Sequence, residues 1–334
     1  MRALVYTGPR RMRMENRPRQ LVDAGEVEIA VTAAGICGVD LAGFLGRSRH
    51  HAPPLILGHE LAGCAADGRR VVVIPLTSCG HCAACRRGAE NLCAELRLMG
   101  MDGKDGCFAE FVAVPEGQVY GIPEAMTDAR AVLAEPLANI VHLFRLAAPE
   151  PFFRMGIVGA GTMGSLALRM ALAQGAREVL VEEVEETRLE AARQMGATLT
   201  VNPATAEGRG EAREFAGYGL DLVVDACGTE AARQEAFELC RPGGTVALLG
   251  MAETSSRVDF GASIRKEHRV MMSFGYTPGD FERSLALLAE ERGDLTPWTL
   301  TPWTVEMPLE EGQRAFEAMA AERGATLKRI LRVR

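Results

Sequence analysis

The middle of the chain shows the clearest pattern of apolar and polar positions. An apolar run, Met155–Val158, is typical of a buried strand, and the glycine-rich segment GAGTMG follows it at once. Apolar residues then recur at helical spacing as far as Leu172, and a second apolar run, Val179–Val181, ends at two glutamates. This order predicts a strand, a tight turn, a helix and a second strand that ends in an acidic residue.

Further runs downstream repeat the alternation of strand and helix. Leu220–Asp225 and Thr245–Gly250 are typical of short buried strands, and Glu230–Cys240 is typical of an amphipathic helix. The segment RPGG, Arg241–Gly244, is predicted to break the chain before the second of these strands. Such alternation predicts an α/β domain with a doubly wound parallel sheet.

The flanking regions have a different pattern. Residues 1–145 contain short β-like runs, such as VEIAVTAAG, RVVVIP and FAEFVAVP, which predict a β-rich, barrel-like domain. After Thr277 the pattern predicts a helix over DFERSLALLAEE and another around Arg314–Ala321. The segment Leu327–Val333 is predicted to return as a strand to the first domain.

Composition and charge narrow the class of protein. A length of 334 residues suits two domains, and 48% hydrophobic residues exclude a disordered chain. The net charge of −7 argues against a surface that binds nucleic-acid phosphates. We find no apolar run long enough to span a bilayer and no signal-peptide pattern, so we expect a cytoplasmic protein with neither membrane nor nucleic-acid partners.

Four of the nine cysteines fall in the stretch CGHCAACRRGAENLC. They are Cys79, Cys82, Cys85 and Cys93. Two-residue gaps let successive thiolates converge on one ion, and four thiolates without an open position are typical of structural zinc, with a redox C-x-x-C pair as the weaker alternative. We interpret His81, within this segment, as a solvated loop residue. Four other cysteines are predicted to be core residues: Cys64, Cys107, Cys227 and Cys240.

A second group of candidate ligands lies on otherwise apolar segments. Cys37 follows AAGI, His59 and Glu60 follow LILG, and Glu135 lies in VLAEPLAN. Burying a carboxylate without a partner is unfavourable, so these two glutamates are easier to explain beside a cation. Three protein ligands and an exchangeable water would form a catalytic zinc site, whereas Cys37 and His59 taken singly are typical of core residues.

The glycine-rich turn of the middle domain has the features of a dinucleotide site. Its glycines would let a pyrophosphate approach the backbone at the N-terminus of the following helix. The acid for the adenosine ribose is predicted to be Glu183, with Glu182 as the alternative, and either carboxylate favours NAD over NADP by repelling a 2′-phosphate. The candidate cofactor-binding residues are Gly159, Gly161, Thr162, Met163, Gly164, Glu182, Glu183 and Arg188.

The segments GICGVD, GHELAG, the four-cysteine stretch, AEPLA and GAGTMG, in this order and spacing, resemble the zinc-containing medium-chain dehydrogenase/reductase family. The resemblance implies a GroES-like catalytic domain over residues 1–148 and 276–334, and a Rossmann NAD-binding domain over residues 149–275. It implies that Cys37 and His59 bind the catalytic zinc. Glu60 and Glu135 lie where the family has either a third ligand or a water-linked carboxylate.

The resemblance also implies an activity and an assembly. AEPLA, with Glu135 in place of a cysteine, is similar to the polyol and threonine dehydrogenases of the family. The implied reaction moves a hydride between a secondary alcohol (a polyol, sugar alcohol or cyclitol) and NAD, because zinc lowers the pKa of the substrate hydroxyl. Family members are commonly homodimers or homotetramers, so we expect a homo-oligomer.

Two features leave alternatives open. The family's proton relay usually begins at a Ser or Thr in the position of Val39, and many polyol-type members have a His in the position of Ala42. Neither side chain here carries a proton, so either the alcohol proton leaves through water and Glu60 or Glu135, or the protein is a catalytically weak NAD- and zinc-binding protein. The second feature is a cationic segment between Cys37 and His59. This segment either is a solvated loop or holds a phosphorylated sugar alcohol. Its residues are Arg47, Arg49, His50 and His51.

A few further side chains complete the predictions. His142 follows AEPLA on a predicted helix, and we expect it to be packed or hydrogen-bonded rather than a ligand. Three aromatic residues are candidates for lining the substrate pocket: Phe44, Trp298 and Trp303.

Overall fold

The computed structural model describes residues 1–290, 304–321 and 326–334. The chain forms two compact units, of which one contains residues 1–138, 276–290 and the described residues from 304 onwards, and the other contains residues 139–275. Two of the pocket candidates, Trp298 and Trp303, lie outside the described residues. Among the helices described, we find none with the length and apolar character needed to cross a membrane.

The N-terminal part is built mainly from short strands. These are β1 (Arg2–Gly8), β2 (Arg11–Asn16), β3 (Glu26–Ile36), β4 (Leu55–Ile56), β5 (Glu60–Ala65), β6 (Arg70–Val73), β7 (Leu76–Thr77), β8 (Arg97–Leu98), β9 (Phe111–Pro115) and β10 (Val119–Gly121). Its helices are α1 (Gly38–Phe44), α2 (Asp128–Ala131) and α3 (Ala134–Ala147), and the boundary between the units falls within α3.

The second unit alternates strands and helices. Its strands are β11 (Arg154–Val158), β12 (Glu178–Glu182), β13 (Leu199–Val201), β14 (Leu220–Asp225), β15 (Cys240–Leu248) and β16 (Arg269–Met272). Its helices after α3 are α4 (Thr162–Ala173), α5 (Glu186–Gln194), α6 (Ala206–Ala216), α7 (Glu230–Leu239) and α8 (Phe260–Arg265). All pairings are parallel, in the order β13-β12-β11-β14-β15-β16, which confirms the predicted doubly wound sheet.

One predicted boundary in this unit differs from the structure. Strand β15 begins at Cys240 and continues through Arg241–Gly244, where the sequence predicts a break. The register against β14 is irregular there, because Leu220 pairs with Cys240 whereas Leu222 pairs with Thr245. The proline and the glycines of this segment therefore form a bulge within β15, and the strand does not begin after them.

The C-terminal part returns to the first unit. It contains α9 (Pro278–Ala289), β17 (Thr304–Pro308), α10 (Gly312–Ala321) and β18 (Lys328–Arg332). Strand β18 pairs antiparallel with β3 and parallel with β17, which confirms the predicted return of the last segment. The sheet that receives it has the order β10-β6-β5-β3-β18-β17, with β9 also pairing β3.

The core of the first unit lies between this sheet and a smaller one, β2-β1-β4. Phe44 at the end of α1 is fully buried, and its ring centroid lies 5.1 Å from that of Phe316 on α10. Phe44 is therefore a packing residue, and its assignment to the substrate pocket is wrong. Strand β3 is fully buried over its last residues, Ala33–Ile36, where it approaches the candidate ligands.

Candidate metal centre and dinucleotide site

Three of the predicted ligands converge in the first unit. Cys37 follows β3 and caps α1, whereas His59 precedes β5 and Glu60 begins it. Because β3 and β5 are antiparallel neighbours, with Gly35 opposite Glu60, these chain segments meet at one place. The donor atoms of Cys37, His59 and Glu60 all lie within 4.8 Å of one another. A thiolate, an imidazole and a carboxylate at this separation fit one zinc ion with an open fourth position.

A buried aspartate that the sequence analysis missed fixes the histidine. Asp40 on α1 is fully buried, and its Oδ1 lies 3.6 Å from His59 Nδ1. It accepts hydrogen bonds from the backbone N–H groups of Cys37 (2.9 Å) and Gly58 (3.1 Å). Contact at Nδ1 directs His59 Nε2 towards a metal, as a partner beyond the ligand shell commonly does.

The aspartate and the histidine also determine each other's charge. Burial alone would lower the pKa of His59, but the Asp40 carboxylate and the Cys37 thiol raise that pKa well above its usual value. Burial alone would raise the pKa of Asp40, yet His59 and the Cys37 N–H keep that pKa low. Asp40 is therefore ionised in the folded protein. Its signal in the sequence is its place three residues after Cys37, in the first turn of a helix.

The buried glutamate of the ligand set is paired with a lysine. The Lys328 ammonium on β18 forms an ion pair with Glu60 and donates to the carbonyl of Ile36 at 3.2 Å. Both side chains are 1% exposed, and burial would lower the pKa of Lys328, but Glu60 raises it. A Cβ on Gly35 would lie 2.0 Å from Glu60 Oε2, so only glycine leaves room for this pair. The positive charge that we expect beside Glu60 is thus supplied in part by Lys328.

Glu135 lies beside the ligand set rather than within it. It is in the first turn of α3, 8% exposed, and it is not part of the donor cluster of Cys37, His59 and Glu60. Burial raises the pKa of Glu135 to about 7, against the opposing effect of His59 and a hydrogen bond from Tyr276. This placement fits a water-linked carboxylate better than a direct ligand.

The four-cysteine lobe has the geometry of a tetrathiolate site. The Sγ atoms of Cys82 and Cys85 are 3.5 Å apart, and Cys79–Cys85 and Cys82–Cys93 are each 3.9 Å apart. Thiolates bound to one tetrahedral zinc at about 2.3 Å lie roughly 3.8 Å from one another. Backbone N–H groups of Cys85 and Ala94 lower the pKa of Cys82 to about 6, which favours a thiolate ligand. His81 is exposed, as predicted.

The predicted dinucleotide loop lies in the second unit between β11 and α4. Gly159 has a φ of +99°, and a Cβ on Gly164 would lie 1.8 Å from the Gly159 carbonyl oxygen, so both positions require glycine. Gly161 is the N-cap of α4, and Thr162 and Met163 begin the helix. The first N–H groups of a helix have no partner within the helix, and this end of α4 therefore suits an anion.

The structure separates the two candidate acids. Glu183 accepts a hydrogen bond from the backbone N–H of Ala160 in the glycine loop at 3.0 Å, and Arg188 Nη1 lies 3.4 Å from its carboxylate. Glu182 is 1% exposed, and the charged groups that act on it are Glu235 and Glu238 of α7 and Arg213 of α6. This geometry favours Glu183 over Glu182 as the ribose acid, because Glu183 contacts the glycine loop whereas Glu182 is buried beside α6 and α7.

One cysteine assignment also changes. Cys227 is exposed rather than in the core, because it lies in the turn after β14 that the Asp225 carboxylate holds through the N–H groups of Cys227 and Gly228. A Cβ on Gly159 would lie 2.3 Å from Cys227 Sγ, so this thiol packs on the glycine loop. Cys107 and Cys240 are buried as predicted, and Cys64 is half-buried.

The remaining candidates do not belong to the donor cluster, although His51 lies close enough to Asp40 and His59 to interact with their charges. Arg47 and Arg49 are exposed. His50 pairs with Asp102 at 2.9 Å, and the buried His51 bonds to Ser48 Oγ at 2.8 Å. His142, at 5% exposure, is hydrogen-bonded to Arg145, as predicted for a packed residue. Val39 and Ala42 occupy successive turns of α1 and are half-buried.

Two family models and many known proteins match this chain. Residues 23–124 match the alcohol dehydrogenase GroES-like domain, and residues 162–290 match the zinc-binding dehydrogenase domain. A probable D-xylulose reductase A of Aspergillus terreus is 31% identical, covering 96% of each chain.

Solved structures agree over the whole length. A structure described as a short-chain alcohol dehydrogenase of Escherichia coli CFT073, complexed with NADH, has a TM-score of 0.91 and 25% identity over 100% of this chain and 99% of that one. Galactitol-1-phosphate dehydrogenase of Escherichia coli has a TM-score of 0.89 and 26% identity over 100% of both chains. The chain therefore belongs to the zinc-containing medium-chain dehydrogenase/reductase family and is a zinc- and nicotinamide-dinucleotide-dependent oxidoreductase.

Proposed function

We propose that this enzyme oxidises a secondary alcohol of a polyol, sugar alcohol or cyclitol and reduces NAD. The observation that carries the proposal is the convergence of Cys37, His59 and Glu60 within 4.8 Å, with Asp40 behind the histidine and Lys328 behind the glutamate. The relatives named as D-xylulose reductase support the polyol class, since D-xylulose is the ketone of a sugar alcohol.

The chain's own groups position the reaction. When bound, zinc supplies a Lewis acid for the substrate oxygen, and NAD accepts the hydride. Cys37, His59 and Glu60 would hold the metal, while Asp40, on the Nδ1 side of His59, favours the tautomer that leaves Nε2 free to bind. Lys328 offsets the charge of Glu60, so that the site does not accumulate two uncompensated anions from Cys37 and Glu60.

The proton of the alcohol needs a route that differs from the usual relay. Val39 and Ala42 carry no atom that accepts a proton. Glu135 is the nearby carboxylate outside the donor set, and it adjoins both His59 and Tyr276. We assign the proton to water and to the Glu135 carboxylate, which then returns it to solvent.

The preference for NAD rests on Glu183. Its carboxylate lies at the glycine loop, 3.0 Å from the Ala160 N–H, and would accept the ribose hydroxyls while repelling a 2′-phosphate. Arg188 Nη1 lies 3.4 Å from this carboxylate, so part of its charge is offset by Glu183.

The test is NADH formation by the purified, zinc-replete enzyme on a panel of polyols, cyclitols, sugar phosphates and simple alcohols. NAD and NADP are run side by side, and Cys37→Ser is the control that removes a zinc ligand. We expect turnover of a polyol with NAD that the Cys37→Ser variant lacks. If the enzyme turns over only the phosphorylated substrates, the substrate is a phosphorylated sugar alcohol rather than a free polyol. If no substrate of the panel gives NADH although zinc and NAD are bound, the proposed activity is contradicted.

We also propose that the enzyme is a homo-oligomer that associates through the edge of the parallel sheet. Strand β16 is last in the strand order, and its Val270 and Met272 are 44% and 76% exposed. Phe260 and Ile264 of the neighbouring α8 are 65% and 75% exposed. Backbone groups at a sheet edge beside an apolar patch favour pairing with a second chain.

A further inference from the structure

The four-cysteine lobe carries a second set of donor atoms, which shares Cys79 with the tetrathiolate site and adds two side chains that neither zinc site uses. Cys79 Sγ, a ring nitrogen of His81 and a carboxylate oxygen of Glu95 all lie within 4.8 Å of one another. Cys79 Sγ is 3.6 Å from His81 Nδ1. A sulfur and a nitrogen bound to one tetrahedral zinc, at about 2.3 and 2.1 Å, lie roughly 3.6 Å apart. The spacing and the donor types therefore both suit zinc.

The two donor sets of the lobe differ in exposure. His81 and Glu95 are exposed, whereas no cysteine of the tetrathiolate is: Cys79 and Cys82 are half-buried, and Cys85 and Cys93 are buried. A zinc ion that arrives from solvent meets the outer set first. Cys79 belongs to both sets, so the ion can exchange His81 and Glu95 for the inner thiolates without releasing this shared ligand.

The charges of the two donor sets also favour movement of the ion from the outer set to the inner set. Four thiolates carry two more negative charges than one zinc ion neutralises, so the inner set attracts a cation at its rim. The outer set offers one thiolate, one neutral imidazole and one carboxylate and holds the ion less tightly. Arg86 Nη1 donates to the His81 carbonyl at 2.7 Å, which fixes the backbone of the loop that carries the histidine.

We propose that Cys79, His81 and Glu95 form an outer capture site through which the structural zinc enters and leaves the lobe. The site takes Zn²⁺ or another divalent ion with affinity for thiolate and imidazole. It is distinct from the catalytic centre, and it does not depend on the substrate of the enzyme.

The test measures metal exchange in the intact zinc-loaded protein. Cd²⁺ is added, and the absorption of the cadmium–thiolate complex is followed, a signal that the four thiolates of the lobe dominate. The variants are His81→Ala and Glu95→Gln. The control is Glu116→Gln, which alters an exposed carboxylate of the same unit outside the lobe.

We expect His81→Ala to slow the exchange by about tenfold, within the range that groups adjoining metal ligands contribute to metal affinity. Glu95→Gln is expected to slow it to a lesser extent and Glu116→Gln not at all, with an unchanged final zinc content for every variant. Equal rates for all of them would overturn the proposal. A fall in the equilibrium zinc content of His81→Ala would also overturn it, since His81 would then be a permanent ligand.

Discussion

At the scale of the residue, one lysine determines the charge of the candidate catalytic site. Lys328 is one of three lysines in the chain, and it is 2% exposed beside Glu60. A buried pair of this kind stabilises less than its Coulomb attraction suggests, because both groups lose their hydration. Removal of one partner has a much larger effect, because the other charge then remains buried without compensation.

We expect Lys328→Met to lower the free energy of unfolding by about 3–5 kcal/mol, the usual effect of breaking a buried ion pair. The double variant with Glu60→Gln should lose less stability than Lys328→Met alone, because no unpaired carboxylate is left. Chemical denaturation at equal zinc content, followed by circular dichroism, measures both. Equal losses for the single and the double variant would show that the two side chains are not coupled.

Substitution of Val39 tests whether the lack of the usual proton relay limits the rate of the enzyme. If water and Glu135 move the proton, Val39→Ser should leave kcat nearly unchanged, far below the about 10²–10⁴-fold contribution of general acid–base catalysis. The measurement is kcat on the substrate identified by the panel, with Val39→Ala as the control for side-chain volume. A large gain for the serine variant alone would indicate that the native enzyme lacks an effective proton path.

At the scale of the element, the sequence predicts those strands, turns and helices that local residue patterns determine. The β11–α4–β12 unit follows from an apolar run, glycines and helical periodicity within about one supersecondary unit. Lys328 could not be found in this way, because its contact with Ile36 spans 292 residues. Cys227 adjoins an apolar segment, which predicts a core position, yet the turn after β14 exposes it. Arg241–Gly244 has the composition of a break, but pairing with β14 keeps it within a strand.

The end of β12 makes the stability of the second unit dependent on pH. Burial, with Glu235 of α7 adding, raises the pKa of Glu182 to about 8, and Arg213 of α6 only partly opposes this. The folded state therefore holds a proton that the unfolded chain releases near its ordinary pKa. This contribution to stability is complete below about pH 4.5 and is lost as the pH rises to about 8.

Glu182→Gln removes this dependence. Relative to the native protein, we expect the variant to gain stability by a few kcal/mol between about pH 5 and about pH 9. Denaturation midpoints at both pH values measure the difference, and Glu185→Gln is the control on the same segment outside β12. A difference between variant and native protein that stays constant with pH would contradict the assignment of this proton to Glu182.

At the scale of the whole molecule, the exposed edge of the parallel sheet gives the clearest prediction. If β16 and α8 form the contact between subunits, Met272→Lys should dissociate the oligomer, because it places a charge in an apolar interface. Met251→Lys, which alters another exposed methionine, should leave the mass unchanged. Light scattering after size exclusion measures the mass. A native protein that is already monomeric, or a variant that stays associated, would contradict this interface.

The return of β18 to β3 also orders events during translation. Cys37, His59 and Glu60 leave the ribosome early, but Lys328 is synthesised only after the whole of the second unit, residues 139–275. Domains generally fold as they emerge, so the parallel sheet can form first, while the β-rich unit waits for its last strand. A nascent chain that stalls before Lys328 therefore presents the zinc-binding side chains without the cation that neutralises Glu60. Synthesis of β18 is what completes the electrostatics of the site.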